Sequence, residues 1–313
     1  MDITGVIPRH TLRFANLGEG DVGRFARIVA AKSATEARGQ LPLWDAIASQ
    51  ASGRVIWIDS VARESVLVRD DRTAVWQAVN LNDDDGLLAM VGAGPILLDI
   101  SGLPNSVWAP IVKVALQSRV ELFALYAEPD SYRPHPSPSS ASYFDLTARL
   151  EGLAPLPGFA RLSGPPDENR CLFVALLGFE GNRPSCLIVQ VDPLPRVVSI
   201  IGVPGFQLEF PAYTVACNRQ FLDDNRAYGE IRFARASCPF EVVSQLRELH
   251  RDYAEHYFYI APVGTKPHAL GAVLYALECP GMTEIMFDHP VRKLGRTSGV
   301  GTIHMYDLGG HRT

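Results

Sequence analysis

Tyr257-Phe258-Tyr259-Ile260-Ala261-Pro262, continuing into Val263-Gly264-Thr265-Lys266-Pro267-His268, is the stretch on which the fold turns. The first run is short, aromatic and β-branched, which predicts a buried strand. Proline at 267 pushes Lys266 out of the helical region and suits a first helical position. Gly264-Thr265-Lys266 is therefore a tight loop, and the apolar run Ala269 to Leu277 is a helix. Glu284-Ile285-Met286-Phe287-Asp288-His289-Pro290 opens the next strand. The pattern is a βαβ unit, with a right-handed crossover if the strands are parallel neighbours.

The chemistry of this unit sits at its loop. A helix N-terminus presents unsatisfied N–H groups and partial positive charge to an anion. Gly264 permits close approach of a ligand, Thr265 adds a hydroxyl and Lys266 a full charge, with His268 one position further on. Gly271, one turn inside, predicts tight packing of helix on sheet. The segment Ile260 to Ala272 resembles the strand–Gly-Thr-Lys–helix element of CRISPR-associated Rossmann-fold (CARF) sensor domains. That resemblance implies a cyclic oligonucleotide or related nucleotide as ligand, and a sensing role in bacterial antiviral defence.

Outward from this stretch, composition sets the bounds. The chain has 313 residues, 47% hydrophobic and 20% charged, enough for one large or two ordinary α/β domains with a sizeable core. A net charge of −5 argues against an extended nucleic-acid surface but leaves room for a local basic pocket. Lysine occurs only as Lys32, Lys113, Lys266 and Lys293 among 29 basic residues, so two of the four fall in the C-terminal part under discussion. The five cysteines, Cys171, Cys186, Cys217, Cys238 and Cys279, show no metal spacing and read as free thiols. Met1 to Ala30 lacks a signal pattern, and no run reaches membrane-spanning length, which together give a cytoplasmic expectation with no membrane partner.

Along the chain, Asp21 to Ala31 has helical spacing, and Trp44 to Ser49 reads as a short helix. Arg54–Asp59 is expected as a strand paired with Ser65–Arg69, Asp83–Met90 as a helix, Ile96–Ile100 as a strand, Asn105–Gln117 as a helix and Val120–Tyr126 as a strand. Pro129 to Ser142 is proline- and serine-rich and reads as an extended linker or exposed loop. Beyond it, Cys171–Leu177, Val197–Gly202 and Glu230–Ala234 read as strands, Ala212–Leu222 and Phe240–His256 as helices, and Thr302–Leu308 as a final strand. The expected fold is α/β and Rossmann-like, with mostly parallel sheets and helices on both faces. Two blocks are expected: 1–140, with a helical N-terminal extension, and 141–313, carrying the anion site.

One loop repeats. Gly181-Asn182-Arg183-Pro184 matches Gly264-Thr265-Lys266-Pro267 as strand, glycine, small polar residue, base, proline. In a parallel sheet such loops emerge at the carboxyl ends of strands, where ligands bind. After the last strand of the βαβ unit comes a basic, glycine-rich segment with Arg292, Lys293 and Arg296, read as a flexible loop that folds over an anion. Strand-end carboxylates Asp59, Asp99 and Glu128 are weak candidates for metal, with Glu180 in the glycine loop and Asp288 at the last strand. His268 and His289 are candidate acid–base groups, with Asp288 and Glu180 beside them.

Three functions compete on these residues. The first is binding or sensing of a nucleotide or other phosphorylated ligand at the carboxyl edge of the sheet. The second is a metal-dependent hydrolase or transferase acting on such a ligand, with Mg²⁺ as its cofactor. The third is a noncatalytic subunit of a larger complex; a homo-oligomer or a partner protein is compatible with the composition.

Overall fold

The computed structural model describes residues 11–32, 36–60, 62–139 and 142–309. The chain divides into two compact units, residues 1–130 with 298–313, and residues 131–297. The sequence reading set its boundary near residue 140 and ran the second block to the chain's end. Instead, the last strand pairs with strands of the first unit, so the second unit is an insertion between two crossings of the chain.

The first unit carries β1 (Thr11–Phe14), α1 (Glu19–Val22), β2 (Arg27–Ala31), α2 (Pro42–Ala48), β3 (Val55–Ser60), β4 (Ser65–Asp70) and β5 (Gln77–Asn80). It continues with α3 (Asp84–Val91), β6 (Ile96–Asp99), α4 (Asn105–Gln117) and β7 (Leu122–Ala127). The final strand of the whole chain, Ile303–Asp307, completes an eight-stranded mixed sheet. Its four central strands, β7-β6-β2-β3, are parallel, and antiparallel strands are added at both ends. The Asp83 side chain caps α3 by accepting from the Gly86 N–H at 3.1 Å, as its acidic first turn predicts.

The helix expected over Asp21–Ala31 is corrected here. Only Glu19–Val22 is helical, and Ile28 to Ala31 form β2 in the middle of the sheet. Val22, Phe25 and Ile28 do share one core, which is why helical spacing fitted them. A strand buried on both faces shows no alternation, so period alone cannot separate it from a buried helix.

The second unit opens with β8 (Ser131–Tyr132), β9 (Pro134–Ser139), β10 (Ser142–Phe144) and β11 (Thr147–Leu150). The proline-rich run expected as a linker is thus a small antiparallel pair, β9 with β10. Its prolines are tolerated because the ribbon has two strands and every strand is an edge. Then follow β12 (Cys171–Leu176), α5 (Asn182–Ile188), β13 (Arg196–Gly202), α6 (Phe210–Cys217), α7 (Arg219–Asp224) and β14 (Ile231–Ala234). The unit ends with α8 (Pro239–Asp252), β15 (Tyr257–Pro262), α9 (Lys266–Glu278), β16 (Thr283–Ile285), β17 (Pro290–Arg292) and β18 (Thr297–Ser298). The final strand named above is β19.

Five strands form a wholly parallel sheet in the order β14-β13-β12-β15-β16. Alternate residues of β12 supply its two cores. Phe173 and Ala175 pack with Leu187, Ile188, Phe221 and Leu222 of α5 and α7. Leu172, Val174 and Leu176 pack with Val242, Leu246, Leu249, Ala272 and Tyr275 of α8 and α9. Helices therefore cover both faces, and the six residues of β12 are all buried. Gly271 faces α8 and not the sheet as expected: a Cβ there would stand 2.5 Å from the Pro239 carbonyl oxygen and 2.7 Å from the Val242 Cβ.

Among the described residues no helix is long and apolar enough to cross a membrane. The five cysteines are unpaired.

Candidate functional site

Chain order across the parallel sheet runs outward one way from β12 through β13 to β14, then the other way through β15 to β16. The direction reverses between β12 and β15. In open parallel sheets the crevice outside the carboxyl ends at such a reversal is where ligands bind. The two loops singled out by their repeated pattern leave these two neighbouring strands.

They meet backbone to backbone. A Cβ on Gly178 would lie 2.8 Å from the Val263 oxygen and 2.9 Å from the Gly264 Cα, and one on Gly264 2.6 Å from the Leu177 oxygen. No side chain fits at either position, so glycine is required by proximity and not by dihedral angle. Behind the first loop, the Asn218 side-chain amide donates to the Gly178 carbonyl at 2.6 Å and to the Thr214 carbonyl at 2.7 Å, fixing the α6–α7 corner to it.

Pro267 and Thr265 set the start of α9. Thr265 is the N-cap: its Oγ1 accepts from the His268 N–H at 3.3 Å and donates to the Ala236 carbonyl at 2.8 Å. Lys266 is the first helical residue, one position inside the cap that the sequence pattern assigned to it, and is 7% exposed. His268 is fully buried, with Nε2–H donating to the Arg235 carbonyl at 3.0 Å. Burial pushes its imidazole down to about 4, against a partial upward pull from the Arg235 carbonyl, so the ring is neutral at pH 7. A neutral, enclosed ring is part of the packing of α9; it is not poised to exchange protons near neutrality.

The matching residue of the first loop has a different fate. Arg183 is 6% exposed and forms a two-pronged ion pair with Asp288, Nε to Oδ2 at 2.8 Å and Nη2 to Oδ1 at 2.6 Å. Its Nη1 reaches Glu180 at 3.3 Å and the Val263 carbonyl at 3.4 Å. Desolvation alone would lower the guanidinium, but the Asp288 hydrogen bond and charge more than reverse this and keep it protonated. Arg183, Asp288 and Glu180, offered by the sequence as ligand and catalytic groups, are therefore engaged with one another, one guanidinium against two carboxylates, and tie α5 to the loop after β16. Helix α5 also starts at Asn182, ahead of the base, and has only seven residues, with Gly181 packed on the Cys217 carbonyl. The anion-binding reading thus narrows to Gly264, Thr265 and Lys266.

The basic C-terminal segment is tied down. Arg292 lies on β17, opposite Thr147 of β11. Lys293 forms an ion pair with Asp145, which holds that carboxyl below the usual carboxylate range. The Arg296 carbonyl accepts from the Arg133 N–H at 2.8 Å. His289 is buried, and its Nε2 is 3.0 Å from the Ala154 carbonyl. A lid that closes by free movement is not how this segment is built.

The metal candidates Asp59, Asp99 and Glu128 belong to the first unit. Asp99 accepts from Trp44 Nε1 at 2.8 Å and from the Ser101 N–H at 2.9 Å. Glu128 lies 2.6 Å from His304 Nε2, and Asp59 is on β3 opposite Leu67. They assemble no shared donor set, and among the described residues no group of three or more His, Cys, Asp or Glu side chains is placed to hold a metal.

One feature escaped the sequence reading. Tyr132, Tyr143, Phe144, Phe179, Phe210 and Tyr213 gather into a single aromatic cluster with ring centroids 4.6–6.5 Å apart. They come from three distant segments, and only Phe179, inside the Gly178–Gly181 loop, stood next to a residue already singled out. A second feature is a shallow groove of about 480 Å³ between α8 and α9, lined by Arg247, His250, Tyr275 and Cys279 among others. There the Tyr275 hydroxyl is 3.0 Å from His250 Nδ1, and burial raises the Cys279 thiol above its ordinary value. Two arginines line it, and one of them, Arg247, is held by Glu278.

No protein-family model matches the chain, and no curated protein matches it in sequence.

Proposed function

We propose that the second unit is a Rossmann-like module that binds a nucleotide or other phosphorylated ligand, with a sensing rather than a catalytic role. One observation carries this reading: the Gly-Thr-Lys loop leaves the strand at the reversal of a five-stranded parallel sheet, and opens a 13-residue helix there. The Gly264 and Thr265 backbone N–H groups, at the mouth of the helix, receive the phosphate, and the Lys266 ammonium balances its charge. The Arg183–Asp288 pair keeps the neighbouring loop in place. Sensing is favoured over catalysis because His268, His289, Asp288 and Glu180 are all engaged within the fold.

The test is a melting-temperature screen of the full chain against nucleoside mono-, di- and triphosphates, dinucleotides and cyclic oligonucleotides. Binding to the folded state raises apparent stability by mass action, by about 2.7 kcal/mol at a hundredfold excess over Kd. A rise with at least one class is expected. No rise with any of them at millimolar concentration overturns the reading. Turnover of the bound ligand would replace sensing by catalysis.

A further inference from the structure

The aromatic cluster of the second unit has no role in either core of its sheet: none of the six rings belongs to the packing of α5 and α7 or to that of α8 and α9. Phe210 is buried, but Tyr132, Tyr143, Phe144, Phe179 and Tyr213 each keep part of their surface open. We propose that this cluster is the stacking subsite for a nucleobase, so that the ligand of the β12–β15 crevice is a nucleotide and not a sugar phosphate. The proposal rests on the phosphate-binding reading above.

Position links the two. Phe179 directly follows Gly178, whose backbone abuts Gly264 of the phosphate loop. Phe210 and Tyr213 lie on α6, which Asn218 fixes to the Gly178 carbonyl. Tyr132, Tyr143 and Phe144 are supplied by β8 and β10. The rings and the phosphate loop are thus braced against one another.

Geometry supports a flat, apolar guest. Phe144 and Phe179 lie 4.6 Å apart at 40°, and Tyr143 and Tyr213 4.6 Å apart at 35°, while the remaining contacts are mostly edge-on. At these separations the rings pack on one another, so a base stacks on the outer surface that the five part-open rings leave uncovered. Stacking tolerates any base, so the cluster selects for a base without naming which.

Calorimetric titration of AMP, cyclic tri-adenylate and ribose 5-phosphate into the full chain decides it, with wild type, Tyr213→Ala, Tyr213→Phe and Tyr143→Ala compared. At least one of the two nucleotides is expected to bind roughly tenfold or more tightly than ribose 5-phosphate. Tyr213→Ala and Tyr143→Ala should shrink that preference while leaving ribose 5-phosphate affinity unchanged, and Tyr213→Phe should keep it. Melting curves establish that each variant is folded, and the two alanine variants lie on different elements. Equal affinity for nucleotide and ribose 5-phosphate, or a preference untouched in folded alanine variants, overturns the base subsite alone. Absence of binding by all three ligands defeats the phosphate loop as well.

Discussion

Arg183 and Lys266 follow glycines at corresponding places in two neighbouring loops, and the surroundings of Arg183 settle its own work. The Asp288 and Glu180 carboxylates reach Arg183 and leave it no charge to offer. Removing one partner of a buried ion pair leaves the other uncompensated, at a cost of about 3–5 kcal/mol. Asp288→Ala should therefore lower the denaturation midpoint strongly, and Arg183→Ala likewise, before any effect on binding is considered. A chemical melt of either variant indistinguishable from wild type would show that the pair is not structural. His268 makes a second residue-scale prediction. Its folded value of about 4 lies below the ordinary 6.5, so the unfolded chain binds more protons between these limits. The stability tied to this group is full above pH 6.5 and is lost as pH falls toward 4, by roughly 3 kcal/mol for a shift of this size. His268→Gln should flatten that part of the pH–stability curve. None of this was legible in the sequence: a basic residue after a glycine looks the same whether a carboxylate from more than a hundred residues away reaches it or not.

At the scale of elements, the most legible parts were those with local punctuation. Pro267 marked the start of α9 to within a residue, α3 was expected one residue early with its cap Asp83 counted inside it, and α4 matched its expected span residue for residue. Misreadings came where pattern and composition mislead. β2 looked helical because strands buried on both faces have no alternation, and the Pro134–Ser139 run looked like a linker because its proline density hides a strand whose partner, Ser142–Phe144, follows closely in sequence. Gly271 was recognised as a packing glycine but assigned to the wrong neighbour, since only the structure shows that α8 crosses α9 at this point. Gly271→Val should destabilise the fold by about 1–3 kcal/mol through overpacking against Pro239 and Val242. An unchanged urea midpoint would mean that the two helices do not touch there.

For the whole molecule, alternation of strands and helices was enough to give the α/β class, but not the path of the chain. The last strand reads as an ordinary apolar run, and nothing in it says that it returns to the first unit, between β1 and β7. Deleting residues 298–313 should therefore unfold the first unit, which loses a ladder on each side of β19, while residues 131–297 retain cooperative melting when expressed alone. Loss of structure in the isolated 131–297 segment, seen by circular dichroism, would contradict the division. The same non-local assembly hid the aromatic cluster, whose members are scattered from Tyr132 to Tyr213, whereas the Gly264–Lys266 loop proposed to bind phosphate stands out because strand, glycine, cap and base are consecutive.

The claim that Lys266 and the start of α9 receive a phosphorylated ligand is tested most directly by one comparison. The nucleotide giving the largest melting shift is titrated calorimetrically into wild type and Lys266→Met, which keeps an apolar stem of similar length in the buried position. The variant should bind about tenfold or more weakly, as expected for loss of one charge-assisted hydrogen bond, with the protein still folded. Equal affinity in a folded Lys266→Met protein would contradict it.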